Sequence, residues 1–185
     1  TTVSFYNPGT TITVTESGST LSFASVGGVN GSGNASIADA SATDFVVPSG
    51  TTLTGTAAVL NGKGATGEGT VAVTALNGTL AADLSNLSAT SVTAAFDASG
   101  TFTGDLGTAT TTIASAKTMT AAHSVVSGST ITGAGNLTIT SMVNGTDVSN
   151  ISTSGTITVS GATTAANLTA LDAVTSNAIV ATGIT

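Results

Sequence analysis

The chain of 185 residues has no cysteine, no tryptophan, two prolines and only two basic residues, Lys63 and Lys117. Each scarcity removes a class of chemistry. Without cysteine there is no disulfide, no thiolate nucleophile and no cysteine-ligated zinc. His123 is the single histidine, so no second imidazole can complete a paired metal site. Two cations against nine carboxylates give a net charge of −7. Such a surface cannot displace counterions from nucleic acid, and it has no polybasic patch for an anionic membrane. Aromatics make up 3% of the chain, so a core must be built from Val, Ile, Leu, Ala and Thr. No run of about 18 apolar residues is present, so no membrane-spanning helix is expected. The chain opens on Thr1-Thr2-Val3 without an initiating Met, which suggests a processed product or an excised fragment.

What the sequence has in abundance is a Thr-apolar-Thr triplet. It stands at 52–54, 101–103, 118–120, 130–132, 138–140 and 156–158. A strand turns successive side chains to opposite faces, so each triplet sends one apolar residue inward and two β-branched hydroxyl residues outward. The chain therefore reads as strands nearly throughout. Thr164–Ala178 is rich in Ala and Leu and is long enough for one or two helical turns, but it reads as another coil of the repeat.

A 66-residue internal repeat decides the architecture. It lays Val47–Leu76 over Ile113–Met142, matching Gly62 with Gly128, Gly67 with Gly133 and Gly69 with Gly135. Apolar positions agree as well: Leu53 with Met119, Val71 with Leu137, Val73 with Ile139. A second echo, Asp83 to Ser88 against Asp147 to Ser152, has an offset of 64, so the unit tolerates a changed turn. Sixty-six residues equal about three coils of roughly 22 residues, the length of one β-helix turn. The expected fold is all-β, a β-solenoid (β-helix) or a stacked, β-sandwich-like rod with an N-terminal β-strand arm. Residues 1–26 form that arm or cap, 27–44 a Gly/Ser-rich linker, and 45–185 the repeat-built domain, with copies near 47–88 and 113–152. Roughly six coils at about 4.8 Å give a rod of order 30 Å.

Candidate sites are few. His123 aligns with Ala57 in the other copy and reads as a polar residue on an exposed strand face. The carboxylates Glu16, Asp39, Asp44, Glu68, Asp83, Asp97, Asp105, Asp147 and Asp172 offer pairs for glycoside cleavage, as in many β-helical enzymes. Such sites add aromatics and basic residues to hold sugars, and both classes are scarce here, so no catalytic residue and no enzyme is expected. Residues 27–34 approach a calcium nonapeptide but lack its carboxylate. Asp39 and Asp44 are the candidates for a weakly held calcium ion, the one cofactor the sequence leaves open. Eight of the eleven asparagines stand in Asn-x-Ser/Thr triplets: Asn30, Asn34, Asn77, Asn86, Asn136, Asn144, Asn150 and Asn167. Chance would give about four in a chain so rich in Ser and Thr, and the excess makes these candidate N-glycosylation sites. Asn77-Gly78 and Asn144-Gly145 also read as tight turns.

Alternating strands, a repeat with glycine-marked corners, the absence of cysteine and the Thr/Ser/Ala/Gly bias together resemble the strand-repeat segments of large bacterial and archaeal surface proteins. These are the adhesin, surface-layer and extracellular-filament types, and the resemblance spans most of residues 45–185. It implies an extracellular role at the cell surface, structural or adhesive, with no catalytic residues to transfer. The expected function is a building block that polymerises with its own copies through strand edges. Val3, Phe5, Ile12, Val14, Leu21 and Phe23, on the alternating N-terminal strands, are the side chains expected to enter a neighbour's core. The alternative is an adhesin stalk or binding module whose Thr faces recognise glycan or ice. Ranks of outward Thr resemble the faces of Thr-x-Thr antifreeze proteins, although the triplets here do not recur at one constant interval. Coverage of a strand surface explains the same residues more simply.

Overall fold

The computed structural model describes residues 44–185 in full and, before them, the backbone of four strands: β1 (Thr2–Phe5), β2 (Thr11–Ser17), β3 (Thr20–Val26) and β4 (Gly33–Asp39). There follow β5 (Asp44–Val46), β6 (Thr51–Thr56), the single-turn helix α1 (Ala57–Leu60), β7 (Gly64–Thr66), β8 (Thr70–Leu76) and β9 (Ser91–Phe96). Next come β10 (Gly100–Phe102), β11 (Thr110–Ile113), β12 (Thr118–Ala121), α2 (His123–Val126), β13 (Ile131–Gly133) and β14 (Asn136–Ile139). The chain ends with β15 (Ile151–Thr153), β16 (Ile157–Thr163), α3 (Ala165–Asp172) and β17 (Ile179–Ile184).

The protein is mostly β, in line with its alternation, and its sheets are parallel except where β1 meets β4 and β2 meets β3. One sheet has the order β1-β4-β6-β8-β9-β11-β13-β15, a second β10-β12-β14-β16-β17, and a third β2-β3-β5-β7. A parallel neighbour requires a long crossover, and here the chain crosses by running through other parts of the fold. Thr52 pairs with Thr70, Thr70 with Ser91 and Ile131 with Ile151, so the chain returns to the eight-stranded sheet at short and similar intervals. Burial alternates along β8 and β9, and the inward residues stack in ladders. Gly100, Met119, Leu137, Ile157 and Ile179 form one such ladder; Leu76, Phe96 and Ile113 form another. Apart from Ile179 at the end of the stack, the apolar members of both ladders are buried. Thr111, Thr153 and Thr163 also turn inward, and their hydroxyls find no partner among the described residues.

Six corners share one form that the sequence reading did not pick out. Leu60, Leu84, Leu106, Val126, Val148 and Leu171 are each buried, and each carbonyl accepts the N–H of the third residue on. Among the described residues, the three helices all end at or one residue past such a corner. The segment after Thr164 is thus a two-turn helix and not the strand coil expected. Thr164 Oγ1 accepts the N–H of Asn167, capping α3, while Leu171 anchors it in the core. Similarly, His123 opens helix α2 and does not sit on a strand face.

The matched glycines occupy matched conformations. Gly62 and Gly128 have φ of 66° and 76°, Gly67 and Gly133 of 109° and 106°. A further pair, Gly50 and Ala116, has φ of 74° and 60° in turns closed by Thr51 N–H to Pro48 O and Lys117 N–H to Ala114 O. Sheet membership nevertheless shifts by one between copies. β6 and β8 belong to the eight-stranded sheet, whereas their counterparts β12 and β14 lie in the five-stranded one. Between the copies, Thr93 of β9 pairs with Thr110 of β11 within the eight-stranded sheet, and β10, which lies between them in sequence, is the first strand of the five-stranded one.

At the N-terminal end, β1 and β2 are edge strands of their sheets, and β3 lies between β2 and β5. The stretch 27–44 contains β4, which pairs in parallel with β6 from Gly33 to Ile37 and so belongs to a sheet. Residues 27–32 lie outside the described residues.

Candidate functional site

The carboxylates are spread along the corners. Asp83 and Asp105 are brought side by side by a parallel bridge, yet each is turned onto its own backbone. Asp83 Oδ1 accepts the Ser85 hydroxyl at 2.6 Å and the Ser85 N–H at 3.0 Å, and Asp105 Oδ1 accepts the Gly107 N–H at 2.8 Å. The Ser85 hydroxyl first, and its N–H second, hold the Asp83 carboxyl below the ordinary range. The Ser149 N–H, then its hydroxyl, do the same for Asp147. A general acid needs the opposite shift. Asn61 Oδ1 and Ser127 Oγ receive the N–H groups of Asp83 and Asp147, so short oxygen-bearing side chains staple successive corners together. The echo at 83–88 and 147–152 is this corner, seen twice.

His123 Nδ1 lies 3.3 Å from Ser141 Oγ. Asp97 follows β9, Glu68 is exposed between β7 and β8, and Asp172 closes α3. Asp44 begins β5 in the four-stranded sheet, while Asp39 ends β4 in the eight-stranded one. The side chains of Asp39 and Glu16 lie outside the described residues. Among the described residues no three His, Cys, Asp or Glu side chains cluster as metal ligands.

Of the candidate glycan acceptors, Asn86, Asn144 and Asn150 are exposed at turns. Asn77 is half-buried, its Oδ1 accepting the Thr79 N–H at 2.9 Å, and Asn136 Oδ1 accepts the Thr156 N–H at 2.9 Å. Asn167 is buried and its amide nitrogen, the atom that would carry a sugar, donates to Met142 O at 3.2 Å. That position is closed to a glycan in the folded chain. Asn30 lies outside the described residues, as does the side chain of Asn34.

Val3 and Phe5 lie on β1, Ile12 and Val14 on β2, Leu21 and Phe23 on β3. Their side chains are outside the described residues, but the pairing of their backbone is internal to the chain. At the other end, β17 is the last strand of its sheet. Val180 and Ile184 are 45% and 64% exposed, and a cleft of about 440 Å³ lies between α3 and β17, with Leu168, Ile179 and Asp172 in its wall. A strand edge with exposed aliphatic side chains is a template for further pairing.

The third feature is the outer face of the five-stranded sheet. Thr101, Thr120, Thr138 and Thr158 are in register on four adjacent strands, in a row that ends at Val180. Thr118 and Thr156 flank the row on one side; Thr103 and Thr140 flank it on the other. Elsewhere, Thr74 and Thr132 on the eight-stranded sheet and Thr182 on the five-stranded one spend their hydroxyls on carbonyls of the strand before, Gly55 O, Thr111 O and Val159 O. The hydroxyls of Thr101, Thr120, Thr138 and Thr158 bond to none of the described residues.

The chain matches no protein-family profile, no curated protein and no solved structure.

Proposed function

We propose that the chain is a β-solenoid that serves as an extracellular structural element, a building block of a cell-surface filament or layer. The observation that carries this reading is the recurrent corner: buried aliphatic side chains at 60, 84, 106, 126, 148 and 171, nearly evenly spaced and each followed by the same turn. A fold of identical corners and parallel ladders has each rung contacting its neighbours, so it grows by addition of rungs. The end rungs are then the natural contact points between copies. β17, the last strand of its sheet, with exposed Val180 and Ile184, is the docking strand at one end, with main-chain hydrogen bonds as the adhesive. Charged residues make up 6% of the chain, so little repulsion opposes close packing. Carboxylates bound to their own turns and a core of packed aliphatics suit a scaffold better than a catalyst.

Electron microscopy and sedimentation of the concentrated chain test this reading. Native protein is expected to form filaments or sheets. A Val180→Lys, Ile184→Lys variant is expected to remain monomeric with an unchanged circular dichroism spectrum, because both side chains are exposed. A native chain that stays monomeric at high concentration would overturn the assembly.

A further inference from the structure

We infer that the Thr-bearing outer face of the five-stranded sheet binds ice. The inference is independent of self-assembly, since it concerns the flank of the stack and not its ends.

The sequence intervals between the triplets are unequal, yet pairing cancels the inequality. The steps from Thr101 to Thr120, to Thr138 and to Thr158 differ in length, and the differences are absorbed in the corners while the strands stay in register. The result is a two-dimensional lattice. Neighbouring strands lie about 4.8 Å apart, and alternate residues along a strand about 6.6 Å apart. The central row of this lattice is threonine on all four strands, 101, 120, 138 and 158, while the flanking rows are mixed, with Ser99, Thr118, Asn136 and Thr156 on one side and Thr103, Ala122, Thr140 and Ser160 on the other.

Three properties direct this lattice toward solid water. First, β-branching restricts χ1, so each threonine offers its hydroxyl and methyl in a limited set of orientations. Second, the hydroxyls of the central row are not consumed by any described residue and are left to solvent. Regular hydroxyls anchor water at fixed points, and the methyl groups between them favour ordered water over mobile water. Third, the strand segments 99–103, 118–122, 136–140 and 156–160 contain no charged residue, and the one aromatic among them, Phe102, is buried. A charged face would hold a disordered ionic hydration shell, and a sugar-binding face would use exposed aromatic rings for stacking. An uncharged, non-aromatic face with a regular central row of hydroxyl and methyl groups suits a surface that is itself a periodic array of water.

The test is ice recrystallisation inhibition and single-crystal ice shaping by the purified chain. Two double variants accompany it: Thr120→Lys with Thr138→Lys on the proposed face, and Ser91→Lys with Ser152→Lys on the eight-stranded sheet. Native protein and the Ser variant are expected to shape ice and to inhibit recrystallisation equally. The Thr variant is expected to need at least tenfold more protein for the same inhibition, with an unchanged melting temperature. Absence of activity in native protein would overturn the inference, and so would equal activity in the two variants.

Discussion

Replacing Gly133 with alanine will destabilise the protein by about 3–5 kcal/mol, whereas the same change at Gly128 will cost about 1–2 kcal/mol. Both glycines have positive φ, 106° and 76°, so an alanine at either position bears the left-handed penalty. The difference lies in the neighbouring strand. A Cβ on Gly133 would press on the main-chain oxygen of Ile113 and lie 2.8 Å from its nitrogen, in the strand paired with β13. Backbone in a hydrogen-bonded ladder cannot yield without breaking that ladder. A Cβ on Gly128 would meet nothing within 4 Å. Urea titrations of the two variants measure the gap, and equal losses would show that β11 and β13 do not approach as described.

Phe96→Ala is expected to cost about 3–5 kcal/mol. Phe96 is fully buried and sits in register between Leu76 and Ile113, so truncation opens a void in the middle of the stack. Side chains above and below are fixed by parallel strands and cannot collapse into it. In the proposed solenoid each rung contacts mainly its neighbours, so the damage should also be local. Hydrogen exchange will accelerate in β8, β9 and β11 before it does in β14 and β16. Uniform acceleration along the chain would contradict a stack of separable rungs.

The alternation of Thr and aliphatic residues made the strands legible, because a period of two survives even in a chain of low complexity. The glycines of the repeat were legible for a physical reason as well. Positions 67 and 133 require a positive φ and have a backbone carbonyl against them, that of Val47 just past β5 and that of Ile113 in β11, so a side chain is excluded twice. What the sequence hid was which strands lie side by side. That depends on how much chain each corner consumes, and between the copies β10 opens a new sheet, so that β12 and β14 lie on a different sheet from their counterparts β6 and β8. The helix at 165–172 was obscured because its only signals are a Thr cap and one buried Leu, in a segment whose composition suits either structure. The threonine row was half legible. Its members were visible as triplets, but only pairing reveals that 101, 120, 138 and 158 share a line while 130–132 lies on another sheet.

The most direct test of the stacked-rung architecture is a distance between two spin labels. The chain has no cysteine, so Thr54→Cys and Ser152→Cys place the labels uniquely. Both side chains face outward on the eight-stranded sheet, on β6 and β15, with β8, β9, β11 and β13 between them. Five strand-to-strand steps put their Cα atoms about 24 Å apart. A narrow distribution centred near that value, widened by the label arms, is the expected result of pulsed dipolar spectroscopy. A broad distribution, or a centre beyond about twice that distance, would contradict the parallel stack on which the fold, the end-to-end assembly and the threonine lattice all depend.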